Sequence, residues 1–121
     1  MQYMMLIYLD ENSLTEAQRV KCYGESAAYA RELQAAGKYI ATSPLQPTFT
    51  ATSIRHEQGK RVITDGPFAE TREQLGGFFM VNAENLDEAI DIAAKIPAGQ
   101  FGTVEIRPLL PVSGVPIFQT S

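Results

Sequence analysis

The stretch TDGPFAETREQLGGFF, residues 64–79, sets an acidic side chain, Asp65, at the head of an Asp-Gly-Pro bend. A charged patch and a Gly-Gly-Phe-Phe run follow it. A carboxylate there can act as a general acid or base if Phe68, Phe78 and Phe79 shield it from water and raise its pKa. The same aspartate has a purely structural reading, because an Asp heading a turn can bond the following backbone N–H groups itself. Both readings are open on the residues alone. A ligand site at this end of the chain would draw on Asp65, Phe68 and Tyr8. A polar-lined pocket around them would favour an enzyme, and a cleft filled by phenylalanine side chains a binding module.

The other reactive residue types are sparse. Cys22 is the single cysteine, which rules out an intrachain disulfide or a thiolate metal cluster. It falls in a helical pattern between Lys21 and Tyr23 and reads as a half-buried or surface thiol. His56 is the single histidine and sits between Arg55 and Glu57 in a polar segment. One histidine without a clustered carboxylate or thiol does not make a metal site, so neither metal nor cofactor is expected. Gly76-Gly77 precedes a strand rather than opening a helix, and no Lys-Ser/Thr follows, so it is not a phosphate loop. Its role is to let backbone approach the sheet closely. Glu70, Thr71, Arg72 and Glu73 read as a solvated turn, and Glu105 with Arg107 as a pair on a strand edge.

Elements must position these groups, and composition bounds them. The chain has 121 residues, 45% hydrophobic and 20% charged, with a formal net charge of −4. That is enough for one core without covalent staples. The cations are scattered singly, so no basic face for nucleic acid is expected. The apolar run Met4–Leu9 is too short to span a bilayer and no cationic segment precedes it, so neither a membrane partner nor a signal peptide is expected. The expected compartment is the cytoplasm.

Residues 2–9 (QYMMLIYL) predict a strand apolar on both faces. Asn12 or Ser13 then caps a long helix, with Glu16 completing a capping box and an apolar stripe of Val20, Tyr23, Ala27, Ala30 and Leu33. Gly37 ends it. Residues 38–43 predict a second strand. Residues 51–57 and 60–64 form a hairpin about Gln58-Gly59, and 77–82 another doubly apolar strand. Asn85 caps a helix over 86–96 with the stripe Leu86, Ala89, Ile90 and Ala93. Residues 103–108 make a last strand, Val104 and Ile106 inward. The segment between hairpin and Gly-Gly reads as a structured lid. This order is the split βαβ plan of a ferredoxin-like α+β fold with an inserted hairpin. Two helices cover one face of its sheet, so the second apolar face calls for a second copy of the chain. The segment 111–121, carrying Val112, Val115, Ile117 and Phe118, reads as an extended arm, with Leu109 and Leu110 leading into it. These side chains are expected to pack on the body or on the partner.

The opening QYMMLIYLDE, the block TDGPFAETREQLGGFFMVNAENLDEAIDIAAKIP and the close GTVEIRPL resemble the DGPF branch of the YCII-related family. The resemblance runs from Met1 to about Leu110. It implies a ferredoxin-like domain over 1–110 that dimerises as an α+β barrel. It also implies either of two functions. One is a homodimeric binding or accessory module, for an unnamed small-molecule ligand, linked to sigma-factor regulation. The other is a small cofactor-free enzyme of the isomerase, lyase or dehydrochlorinase kind, with Asp65 as acid/base. Proteins of the family carry a His-Asp pair, the histidine on the first helix; aligned on Gly37, that place falls near Ser26. The helix here holds no histidine, and Ser26 joins Tyr8, Asp65 and Phe68 as a ligand-binding candidate.

Overall fold

The computed structural model describes residues 1–116 and 118. Its first strand, β1 (Gln2–Leu9), is the centre of the architecture. Odd-numbered Tyr3, Met5 and Ile7 are buried, while Met4, Leu6 and Tyr8 on the other face are only half-buried. The helix α1 (Glu16–Ala35) follows, then β2 (Tyr39–Pro44) and a hairpin of β3 (Thr52–Glu57) and β4 (Lys60–Asp65). The strand β5 (Gln74–Asn82), the helix α2 (Leu86–Ala94) and β6 (Gly102–Pro108) complete the chain. The four-stranded sheet runs β2-β5-β1-β6, all antiparallel, and the hairpin is a separate two-stranded sheet. This is the α+β, ferredoxin-like order with an inserted hairpin. The β1–β5 register sets Met5 beside Phe79 and Tyr3 beside Val81 on the covered face, and Met4 beside Met80 and Leu6 beside Phe78 on the open one.

Both helices start where side-chain oxygens can take the first free N–H groups. On α1 the cap is Thr15, whose hydroxyl accepts from Gln18 N while the Gln18 side chain accepts from Thr15 N. The capping box therefore lies two residues beyond Ser13, because Ser13 is taken by a turn back to Asp10. On α2 the Asn85 side chain accepts from Glu88 N, and Asp87 and Glu88 sit in the first turn, where the helix dipole favours negative charge.

The buried faces of both helices differ from the expected stripes. On α1 it is Cys22, Tyr29 and Leu33 that are buried, with Ser26 half-buried between them, whereas Val20 and Tyr23 are exposed. On α2 it is Ala89, Ile92, Ala93 and the following Ile96, with Leu86 and Ile90 exposed. The apolar positions of these helices admit two overlapping stripes. Tyr29 decides the choice: its ring packs 5.9 Å from that of Phe79, and its hydroxyl donates to the Ile92 carbonyl at 2.7 Å. Burial, then the nearby Glu32 charge, pushes the Tyr29 phenol up to about 12. At the other end of the helix pair Lys38 Nζ lies 2.9 Å from Glu88 Oε1, and that bond holds the Glu88 carboxyl below its ordinary value.

Beyond β6, Leu109 N donates to Gln2 O and the Gln2 side chain donates to the Phe118 carbonyl. Leu109 is half-buried, Leu110 is 84% exposed, and Val112, Val115 and Phe118 keep more than half of their surface in solvent. Ile117, expected to pack with them, lies outside the described residues. No helix is long and apolar enough to cross a membrane among the described residues.

Candidate functional site

The fold leaves a cavity of about 440 Å³ between the N-terminal half of α1 and the sheet. The residues explain why it is there. The C-terminal half of α1 fills its contact with the sheet using Tyr29 and Leu33, and these large side chains set how far the helix stands off. The N-terminal half presents Cys22, Ser26 and Ala27, too small to bridge the same gap. Opposite them the sheet is also small: Thr42, Gly76 and Gly77. A Cβ on Gly77 would lie 3.0 Å from the Ser43 carbonyl oxygen and 3.2 Å from Pro44 Cα, so only glycine lets β2 and β5 approach this closely. The close approach expected of the Gly-Gly pair is therefore found, inside β5 rather than in a loop before it.

Apolar side chains make most of the wall: Ile7, Leu9, Leu14, Phe79 and, at the mouth, Leu45 and Phe49. Phe49 borders the cavity yet is 84% exposed. Two charged side chains line it, Glu11 and Arg19. The Glu11 carboxylate accepts from Thr48 N at 3.2 and 3.3 Å and from the Thr48 hydroxyl, which ties the end of β1 to the 3₁₀ turn Thr48–Thr50 at the mouth. Arg19 Nη2 donates to the carbonyls of Glu11 (2.9 Å) and Leu14 (3.5 Å). Gln74 is held at both ends, its oxygen accepting from Glu11 N and its amide donating to Thr71 O. Burial pushes the Cys22 thiol up, against a hydrogen bond from Ser26 that pulls it down, and a neutral thiol results.

Of the four candidates from the sequence, Ser26 lines this cavity, and Tyr8, Asp65 and Phe68 do not. Tyr8 lies on the opposite, open face of the sheet, where its hydroxyl donates to Glu105 Oε1 at 3.3 Å. Partial desolvation and the Glu105 charge raise its phenol pKa. Arg107 Nη1 is 3.9 Å from Glu105 on the same strand, an exposed edge pair. Asp65 is the last residue of β4, exposed, opposite Thr52. Its carboxylate has no hydrogen bond among the described residues. The bend is made otherwise: Gly66 takes φ +100°, its N–H donates to Ala51 O at 2.7 Å, and its carbonyl accepts from the Ser53 hydroxyl. Phe68 is 85% exposed, so it does not shield Asp65. Residues 66–73 form an irregular connection that borders no part of the cavity. The mouth of the cavity is bordered instead by residues of the segment 44–49.

Sequence reasoning missed Glu11, Arg19, Thr42 and Gln74. One signal was available: small residues on a helix (Cys22, Ser26, Ala27) separated by tens of residues from a Gly-Gly strand. It becomes a cavity only when the fold sets the two opposite each other.

The fold and this helix–sheet cavity define a small ferredoxin-like protein with a pocket under the N-terminal half of its first helix. The chain belongs to the YCII-related domain family, which matches residues 1–113. It is 39% identical over 116 residues to an uncharacterised protein of Rhizobium meliloti, covering 90% of this chain and 92% of that one. In fold it is similar to 5-chloro-2-hydroxyhydroquinone dehydrochlorinase from Burkholderia phenoliruptrix, solved with 2,5-dihydroxybenzoquinone. That likeness has a TM-score of 0.56 and 19% identity, and covers 91% of this chain and 94% of the other.

Proposed function

We propose that this protein is a homodimeric binding module for a small organic molecule, and that the ligand occupies the cavity under α1. The cavity carries the reading. Its volume is in the range of small-molecule sites, and it joins apolar walls to a few polar groups, which is how such sites combine affinity with orientation. The quinone bound by the structural neighbour is a molecule of suitable size and kind. The dimer is motivated by the open sheet face. Met4, Leu6, Tyr8 and Phe78 form an apolar surface that neither helix covers, and Leu110 with Val112, Val115 and Phe118 of the arm keeps more than half of its apolar surface exposed. A second copy covers both.

The test of the cavity is a set of mono- and bicyclic aromatic fragments titrated against ¹⁵N-labelled protein. Bound fragments should shift the amides of Ile7, Ser26, Thr42 and Gly77. Ser26→Phe, which fills the cavity from the helix side, should abolish those shifts while keeping a cooperative melt. Fragments that bind the variant as well as the wild type, or that shift only distant amides, would rule the site out.

A further inference from the structure

We propose that Glu11 is the group that recognises the ligand, and that the ligand is an uncharged aromatic ring bearing a hydroxyl that donates to it. This inference rests on the α1 cavity being the binding site.

The Thr42 hydroxyl spends its proton on the Phe78 carbonyl at 2.7 Å, so towards the cavity it offers lone pairs only. The Ser26 hydroxyl is half-buried in the cavity wall and can both donate and accept. Both functions of Gln74 are used within the protein, by Glu11 N at 3.0 Å and Thr71 O at 2.5 Å. A carboxylate accepts about four hydrogen bonds. Thr48 supplies donors from one residue on one side, which leaves Glu11 with capacity to spare. The remaining neutral donors, the Asn12 amide and the Tyr23 hydroxyl, sit at the exposed rim. Apart from Arg19, the half-buried wall offers one side-chain donor, the Ser26 hydroxyl, against the lone pairs of Thr42 and Glu11, which favours a ligand that brings donors.

Charge narrows the class further. Glu11 is the single carboxylate among the lining residues and Arg19 the single cation. The Arg19 guanidinium is held through Nη2 by two backbone carbonyls. An anionic ligand would meet the Glu11 charge where apolar walls weaken screening. A neutral hydroxylated ring meets no such repulsion, and it places its apolar body against Ile7, Leu9 and Phe79. The contrast with Asp65 is direct: that carboxylate is exposed at the end of the hairpin, bordering no part of this cavity.

Three probes of similar size decide the matter: resorcinol, its dimethyl ether 1,3-dimethoxybenzene, and benzoate, each titrated by amide shifts into the full-length protein. The wild type should prefer resorcinol to the ether by about tenfold or more, the usual worth of a hydrogen bond to a charged acceptor, and should bind benzoate weakest. Glu11→Gln keeps an acceptor oxygen but loses the charge, so it should cut the preference for resorcinol over the ether to a few-fold, and Glu11→Leu should erase it. Thr48→Val, which removes a donor to Glu11 but keeps the carboxylate, should retain it. A merely structural Glu11 would instead weaken resorcinol and the ether alike. Equal binding of the two in the wild-type cavity overturns the role of Glu11 and leaves the cavity standing as the site. Benzoate binding more tightly than resorcinol overturns the ligand class. Failure of every probe to shift cavity amides overturns both readings, and the wild-type comparison decides even if Glu11→Gln fails to fold.

Discussion

The two faces of the central sheet have nearly the same chemistry and different fates. On β1 and β5 the covered face carries Tyr3, Met5, Ile7, Phe79 and Val81, and the open face Met4, Leu6, Tyr8 and Phe78, together with Met80, which is itself buried. The covered face lies under Tyr29, Leu33 and Ile92 and is almost fully removed from water; Met5 is 0% exposed and Phe79 1%. Across the open face Glu105 and Arg107 stand at the edge of the same apolar surface. Hydrophobicity alone does not tell the faces apart. What differs is what the rest of the chain can reach, because the two crossover helices lie on one side of the sheet and none remains for the other.

The largest effect should come from the covered face. Phe79→Ala removes a ring packed between β1 and Tyr29, and buried Phe→Ala changes cost about 3–5 kcal/mol. Chemical denaturation should show a fall of that size, or no folded state. A loss below about 1 kcal/mol would mean that the covered face is not the core.

The open face should respond through assembly rather than folding. Leu6→Glu puts a charge in the middle of that surface, beside Phe78 and Glu105. Sedimentation of the wild type at micromolar concentration should give twice the chain mass, and the variant should give the monomer mass with its helical spectrum intact. A wild-type monomer removes the dimer, and a variant dimer as tight as wild type removes this face as its interface.

The smallest effect is expected outside the main sheet, at Asp65. Its side chain makes no hydrogen bond among the described residues, so Asp65→Asn should change stability by less than about 1 kcal/mol. Fragment binding in the cavity should be unchanged. A collapse of ligand binding with an unaltered melt would restore Asp65 as a functional carboxylate and reopen the site.

The legible and illegible parts of the molecule divide by range. The β1 strand, the hairpin about Gln58-Gly59 and the Asn85 cap follow from neighbours a few residues apart, and they lie where their local signals put them. The buried stripes of α1 and α2 follow only in part: Leu33, Ala89 and Ala93 are buried as expected, whereas Val20, Tyr23, Leu86 and Ile90 are exposed. Val20 and Tyr23 are as apolar as Cys22 and Tyr29, and the contact of Tyr29 with Phe79 and Ile92, fifty and sixty-three residues away, selects between them. The candidate site was legible at Ser26 alone. Asp65 drew attention because Asp-Gly-Pro is a conspicuous local pattern, yet what makes the bend is the backbone of Gly66.

Sequence by itself determined the element order, the ferredoxin-like plan and the existence of two apolar sheet faces, because periodicity, caps and turn residues act within a few positions. Tertiary structure decided where a ligand fits. The cavity is a difference in reach between Tyr29 and Leu33 at one end of α1 and Cys22, Ser26 and Ala27 at the other, measured against Thr42 and a Gly-Gly strand some fifty residues further on. Tertiary structure also turned Glu11 from a strand-ending charge into a held carboxylate, since its partner Thr48 lies thirty-seven residues away. No local rule joins such residues, because a void exists only between surfaces that folding has already brought together.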